Sequence, residues 1–467
     1  MASTFGGLNT ALSSLYAQRR GLDITGQNIA NANTEGYTRQ RVKLQAEAGS
    51  LNPGVYATTT QVGAGVTVAG VERSRNEYLD ERGRAEHANS AYLTKQSAAY
   101  DQIESVLAEP SDTALQTRLH DMWDSWNDVA NNWQDPSTRS AMLERSKTVA
   151  ITLNDTHSAL ANQYNATFEE MGTYVDQVNT LASAVADMNN QIAVSSAAGL
   201  EANELRDKRD LAVGQLAELT GSTAYGKPNG VVNVYLGTAP LVSDFTTRTM
   251  ALTGSPTIEG NADQKATLYW EDSGAPAQTS GTMGAMLETM NTVLTGVSDS
   301  LDGVAAKLAS KVNELVVSGY TKTGDPGTPM FDGETAQTLR VIIDDPDAVA
   351  FSGGDPSLPT DDRALDNSIA DQLAELGASG AGPDQDYQAM IGQLGVAAQA
   401  SSRRKEIQAS VTDQADTARQ SESGVNLDEE MTHLLTFQRG YEAASRVLTT
   451  IDSMLDQLIN RTGLVGR

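Results

Sequence analysis

Apolar residues recur at spacings of three and four over several long stretches of the chain. The last stretch is the most regular. Over residues 424–461, Leu427, Glu430, Leu434, Phe437, Tyr441, Ala444, Leu448, Ile451, Leu455 and Leu458 form a heptad row in which only Glu430 is charged. Gly424 and Asn426 precede the row, and Asp428, Glu429 and Glu430 occupy a first turn where the positive end of the helix dipole favours acids. Arg461 and Gly463 close it. The pattern predicts a helix roughly 50 Å long at about 1.5 Å per residue. Each Leu buried by such a helix is worth about 1.5–3 kcal/mol, none of it gained alone in water, so the helix requires a partner.

A matching stripe opens the chain. Leu8, Leu12, Leu15, Leu22 and Ile29, interrupted at Arg19 and Gly26, predict a helix over residues 4–30. Asn31, Asn33 and Gly36, residue types that tolerate left-handed backbone, then predict a turn ending at Tyr37. Residues 38–44 read as extended, and residues 61–68 alternate like a hairpin arm. The Gly63-Ala64-Gly65 run lacks the Lys-Ser/Thr and helix start of a nucleotide loop and is read as strand.

Helices dominate from about residue 75. Leu119, Met122, Trp126, Val129 and Trp133 predict one helical stripe, with Trp123 beside it; three tryptophans there are read as core rather than as a ligand box. Asp135-Pro136-Ser137 punctuates the chain. A strict row then follows: Leu153, His157, Leu160, Tyr164, Thr167, Met171, Tyr174, Val178, Leu181, Val185, Met188 and Ile192. It predicts a coiled-coil-like seam about 60 Å long. A shorter helix carries Leu205, Leu211, Leu216 and Leu219. Residues 222–281 turn rich in Gly, Thr, Pro and Asn, with alternation at Val232, Val234 and Leu236 and at Leu268 and Trp270, and predict a small β-rich insertion. Helical spacing returns from Leu287 through Met290, Leu294, Val297, Leu301 and Val304 to Leu308. Residues 320–366 hold five prolines and many Asp, with a candidate strand at Arg340-Val341-Ile342-Ile343, and helix resumes near Tyr387 to about Gln420.

The insertions thus interrupt a helical rod rather than follow it. The expected fold is mainly α: an elongated, out-and-back helical rod with coiled-coil-like terminal helices and small β-rich insertions. Four units are expected: a terminal assembly domain (1–75 with 421–467), whose helices are disordered in the free monomer; a rod domain (76–221, 282–320 and 367–420); a β-rich insertion (222–281); and a loop-rich acidic insertion (321–366). Out-and-back order brings the two ends together.

Composition narrows the function. The net charge of −27 disfavours nucleic acid and anionic membrane as partners. Residues 1–45 hold five cations against two acids and residues 421–467 four against seven, so the middle carries the whole excess. There is no cysteine, and no apolar run long enough to span a membrane. The N-terminus lacks the basic-then-apolar order of a secretory signal peptide. The four histidines, His87, His120, His157 and His433, are scattered without metal-ligand spacing, and His157 is read as a core contact. Asp344, Asp345 and Asp347 lack the order of a calcium loop and are read as a solvated acidic loop. Asp428, Glu429 and Glu430 suit a helix N-terminus better than acid–base catalysis. No catalytic, cofactor-binding or metal residues are assigned.

Two motifs carry a resemblance. Asn28-Ile29-Ala30-Asn31-Ala32-Asn33-Thr34-Glu35-Gly36-Tyr37, followed by Gly63-Ala64-Gly65-Val66, resembles the N-terminal motif of bacterial flagellar axial proteins. Gln438-Arg439-Gly440-Tyr441-Glu442-Ala443 with Asn460 is similar to their C-terminal helix. Within that group, Gly424-Val425-Asn426-Leu427-Asp428-Glu429-Glu430, the long rod helices, and Met330-Phe331-Asp332-Gly333 followed by Asp345-Pro346-Asp347-Ala348-Val349-Ala350 resemble the hook–filament junction (first hook-associated protein) family.

The resemblance implies a structural subunit that polymerises between hook and filament. Implied partners are copies of itself, the hook protein, the second hook-associated protein, and a cytoplasmic export chaperone at the C-terminal helix. Export through the flagellar type III channel, without a cleaved signal peptide, is also implied. Leu8, Leu12, Leu15, Leu22, Ile29, Asn31, Asn33, Gly36 and Tyr37 are the expected N-terminal assembly residues. Leu427, Leu434, Phe437, Tyr441, Leu448, Ile451, Leu455 and Leu458 are the C-terminal ones. Three alternatives stay open: another axial subunit, a surface-binding module using residues 222–281, and an enzyme carried in an insert.

Overall fold

The computed structural model describes residues 4–47, 63–355, 366–380 and 382–461. Residues 61–62, the start of the expected hairpin arm, lie outside the described residues. So do Pro356 and Pro359 of the acidic insertion and Gly463. The protein is mainly α. Helix α1 (Thr4–Ala30) leads into an antiparallel hairpin of β1 (Gln40–Glu47) and β2 (Gly65–Arg73), in register from Gln40 opposite Arg73 to Glu47 opposite Gly65, with an irregularity at Lys43/Leu44.

The rod follows: α2 (Glu77–Leu107), α3 (Leu115–Asn131), α4 (Pro136–Ala197) and α5 (Asn203–Thr220). Its starts follow local chemistry. The Asn76 side chain accepts from the backbone N–H groups of Tyr78 and Leu79, and Asp135 accepts from Ser137 with Pro136 at the first helical position.

The β-rich region comprises β3 (Thr223–Gly226), β4 (Val232–Leu236), β5 (Ala239–Ser243) and β6 (Thr246–Thr247) in one antiparallel sheet. A separate pair joins β7 (Met250–Thr253) to β8 (Thr267–Trp270). Its two ends meet. Ser280 N–H donates to the Thr220 carbonyl at 2.9 Å, and Gly221 and Gly281 take φ of +70° and +57°. A Cβ on Gly281 would lie 2.3 Å from the Glu218 carbonyl oxygen, so only glycine lets entry and exit share one point on the rod. Helix α6 (Gly281–Glu288) continues through a π turn (Thr289–Leu294) into α7 (Thr295–Ser318).

A short pair, β9 (Phe331–Asp332) with β10 (Arg340–Val341), is followed by α8 (Ser368–Leu376), α9 (Pro383–Ser423), α10 (Leu427–Asp456) and a terminal π turn (Gln457–Arg461). Among the described residues, no helix is long and apolar enough to cross a membrane.

Helix α4 holds 62 residues, which is about 93 Å at 1.5 Å per residue. It is longer than its apolar row because Arg139, Met142, Leu143, Ser146 and Val149 extend the buried face toward its start. Leu153, Leu160, Tyr164, Met171, Val178, Val185 and Ile192 are buried, but Tyr174, Leu181 and Met188 are half-buried, and Val175, Ala182 and Asn189 lie at the centre instead. The expected coiled-coil seam is corrected accordingly: no single helix covers it. Helix α3, β10 and the loop after it pack on the earlier part of α4, with Pro346 at Arg139, Asp344 at Lys147 and Ala336 at Asn154, and α5 and the strands pack on it as well. A face served by several unlike partners need not hold one heptad phase. Asparagines fasten the strands to it: Asn179 pairs with the backbone of Met250, and Asn189 donates to Val232 O at 2.7 Å and Asp244 O at 2.9 Å.

Three further expectations are corrected. Trp133 lies past the end of α3 and stacks on Phe351 at 5.3 Å between centroids; Trp123 and Trp126 stay on the helix, in the core. The strand expected at 340–343 is only Arg340–Val341. The acidic loop is anchored as well as solvated. Asp347 accepts from Arg139, whose side chain is fully buried on α4 and also donates to Pro346 O at 2.8 Å. His157 is buried with Glu259 4.0 Å away.

Candidate functional site

Helices α1 and α10 pack along their length, and the face of α1 that closes on α10 and the hairpin is made mostly of small residues. Ala11, Ala17, Gly21, Ile24, Thr25 and Asn28 are its buried positions. A Cβ on Gly21 would fall 2.6 Å from ring carbons of Phe437, and one on Gly440 would fall 2.7 Å from the Gln18 side-chain oxygen. Each helix therefore offers a glycine to a large side chain of the other.

This shifts the expected N-terminal stripe. Leu8, Leu15, Leu22 and Ile29 are half-buried flanks, and Leu12 is exposed. The inner face went to smaller residues because they permit closer backbones. On α10, Leu434, Phe437, Leu448, Ile451 and Leu455 are half-buried, while Leu427, Tyr441 and Leu458 are exposed. Only Glu430 and Ala444 of α10 are buried.

Glu430 is the centre of a polar knot. Its carboxylate accepts from Arg39 Nε at 2.8 Å and from Asn28 Nδ2 at 3.0 Å. Asn28 is used fully: Nδ2 also donates to the Gln40 carbonyl at 2.9 Å, while Oδ1 accepts from Gln40 N–H at 3.0 Å and Tyr37 Oη at 2.8 Å. Buried amides and carboxylates are costly unless each atom is paired, and here they are. Asn426 supports the geometry by capping α10, accepting from the N–H groups of Asp428 and Glu429. Glu429 takes a second bond from Arg39 at 3.0 Å. Of the expected turn residues, Tyr37 enters the knot. Gly36 makes the turn with φ of +77°, Asn31 is half-buried, and Asn33 is exposed. Burial, followed by the nearby Asp207, Glu430 and Glu204 carboxylates, pushes the Tyr37 phenol up to about 12.

A second network fixes the hairpin to the rod. Arg73 donates to Asp207 and Asp210, both at 2.8 Å, and Arg75 reaches Asp80 and Asp210. Thr38 N–H donates to Asp207 at 3.2 Å, and Asn203 donates to Val71 O at 2.9 Å. Burial alone would raise the Asp210 carboxyl, but Arg75, Arg209 and Arg73 outweigh it and hold it below the usual range. The α9–α10 turn joins the same point, with Arg39 N–H donating to Ser423 O at 3.0 Å and Ser74 Oγ to Glu422 O at 3.0 Å.

Asn28, Arg39, Gln40, Arg73, Asp207 and Asp210 were not foreseen from the sequence. Two signals could have found the first two. Small residues recur at helical spacing through Ala17, Gly21 and Thr25, one turn before Asn28, and a lone acid on an apolar row implies a donor opposite it. The arrangement has no reacting groups around an open centre. Its chemistry is mechanical: two distant chain segments are held to one hairpin and to the rod.

Known proteins resemble the chain along its length. Residues 100–331 match the Flagellar hook-associated protein FlgK helical domain. Residues 8–38 match the Flagella basal body rod protein family, and residues 418–461 the Flagellar basal body rod FlgEFG protein C-terminal family. The chain is 31% identical to Flagellar hook-associated protein 1 of Bacillus subtilis over 512 aligned residues, covering 100% of both. It is 25% identical to that of Escherichia coli over 552, covering 97% of this chain and 99% of the relative. The solved flagellar hook junction protein FlgK from Burkholderia pseudomallei shares its fold, with a TM-score of 0.63 and 16% identity over 73% of this chain and 100% of that one.

Proposed function

The chain belongs to the flagellar hook-associated protein 1 family, and on that premise we propose how it assembles. It is a structural subunit of the hook–filament junction, part of the bacterial flagellum, and not an enzyme. Its partners are copies of itself and other flagellar subunits.

The paired ends, 1–75 with 421–467, are the assembly domain, and the outer faces of α1 and α10 are the polymerising surfaces. One observation carries this reading. Of 21 exposed large apolar side chains among the described residues, ten lie on α1, α10 and the terminal π turn, including Leu12, Tyr16, Met431, Leu435, Tyr441 and Met454. Pairing within one chain consumes the small-residue face of α1 and leaves the larger side chains for neighbours. Covering them gains about 25 cal/mol per Å² of apolar surface. Leu8, Leu15, Leu22, Ile29, Leu427, Leu434, Phe437, Leu448, Ile451, Leu455 and Leu458 belong to the same surfaces. The α4 row from Leu153 to Ile192 and the helices around it form the rod that holds the two insertions away from the assembly domain.

The hook protein and the second hook-associated protein are the axial neighbours in this reading. Before assembly the outer faces of α1 and α10 lack a partner. A cytoplasmic chaperone covers the α10 stripe, and the subunit leaves by type III export without a cleaved signal peptide. The test removes residues 425–467 and measures incorporation at the hook tip. Incorporation at the normal level would defeat the proposal. Leu12→Asp with Tyr441→Asp, which spares the inner face, is expected to abolish incorporation while preserving the folded rod.

A further inference from the structure

In a chain of net charge −27, six cations line a single pocket of about 290 Å³: Arg73, Arg75, Arg84, Arg206, Arg209 and Lys227. The pocket lies where the start of α2, helix α5 and the sheet β3–β4 meet. Its acids are Asp210 and Glu77. Asp210 is already shared by Arg73, Arg75 and Arg209, and Lys227 is paired with Asp244. Arg209 also donates to the Gly230 carbonyl at 2.5 Å.

Two guanidiniums are left over. No side-chain hydrogen bond or ion pair reaches Arg84 or Arg206 from the described residues, and Arg206 Nε is buried without a partner. Burial, then Arg75 beside Arg84 and Arg73 beside Arg206, lowers the pKa of both. Asp80, Asp210 and Glu81 offset this in part at Arg84, and Asp210 and Glu201 at Arg206, but none of them bonds either guanidinium, and partly desolvated cations close to other cations destabilise a fold unless an anion joins them.

We propose that this pocket is an oxyanion-binding site for a tetrahedral dianion of the phosphate or sulfate class, with Arg84 and Arg206 as its principal ligands. The two come from different helices, α2 and α5, and the sheet closes a third side. Donors from several directions suit four oxygens arranged tetrahedrally better than a planar carboxylate, which two parallel N–H groups satisfy. The bound anion draws the base of the β-rich insertion onto the rod.

Calorimetric titration of the full chain with inorganic phosphate, at ionic strength held constant with sodium chloride, tests the site. Saturable binding is expected, about tenfold or more weakened by Arg84→Gln or Arg206→Gln, each removing a charge-assisted contact. Arg248→Gln, whose arginine pairs with Asp272 elsewhere on the insertion, is expected to bind as the parent does. No saturable phosphate binding by the parent chain overturns the proposal, whatever the variants do. Unchanged affinity in a folded Arg84→Gln, Arg206→Gln double variant also overturns it, as does acetate binding as tightly as phosphate.

Discussion

Arg39 and Glu430 stand 391 positions apart and meet at 2.8 Å, with the glutamate side chain almost completely enclosed. A buried carboxylate on an otherwise apolar row is tolerable only because a guanidinium and the Asn28 amide both reach it. The pair locks the helix that ends the chain to the hairpin that follows the first helix.

Separate and combined Arg39→Ala and Glu430→Ala substitutions should therefore be non-additive. A coupling of about 1.5–3 kcal/mol is expected for a charged hydrogen bond of this burial. Urea unfolding followed by circular dichroism measures it, and simple additivity would show that the pair contributes nothing. The Arg39 bond to exposed Glu429 adds at most about 1 kcal/mol.

Tyr37→Phe should cost about 0.5–1.5 kcal/mol through the lost bond to Asn28. It should also change the alkaline limb of stability. The phenol is raised from 10.0 to about 12 in the fold, so its contribution is complete below pH 10 and is lost as pH rises through about 12. Unfolding measured across that window should fall less steeply in the variant than in the parent.

Asp210→Asn should destabilise by about 3–5 kcal/mol, since it strips three arginines of their shared carboxylate. Because the Asp210 carboxyl is held below the ordinary 3.8, its contribution is present above that value and is lost as pH falls through the lowered pKa. Acid unfolding of the variant should lack that component, which a pH series of melting temperatures would detect.

Gly21→Leu should force α1 from α10 by driving a side chain into the Phe437 ring, at a cost of about 1–3 kcal/mol. Phe437→Ala in the same chain should recover much of this loss by opening the space. If the double variant is no better than Gly21→Leu alone, the glycine is not a packing contact. Differential scanning calorimetry gives the comparison.

Arg139→Met should release the loop around Asp345–Ala348 from α4, at about 3 kcal/mol or more, because the buried cation serves two carbonyls and Asp347. Faster proteolytic nicking within 340–355 is the expected sign, and unchanged protection would argue against the anchor.

Much of the architecture was legible along the chain. Asp135-Pro136 marked the start of α4, Asn426 the start of α10, and the textural break at Gly221 the start of the strands, because capping and turn formation act over a few residues. The terminal heptad row and the motif ending at Tyr37 carried the family. The knot was less legible. Asn28 sits on a helix stripe like any other polar residue until Gln40, Tyr37 and Glu430 are brought around it.

The sequence by itself determined where the long helices run, that a β-rich stretch follows Gly221, and that an apolar terminal helix needs a partner. These follow from periodicity and local hydrogen bonding, which neighbouring residues decide. Only the tertiary structure decided which face of α1 meets α10. It also decided that α4 is shared among several partners, and that Glu430, the single charge on its row, is held by Arg39 and Asn28. Those outcomes depend on how closely two backbones approach and on which distant donor lies opposite a buried acid, neither of which spacing along one chain encodes.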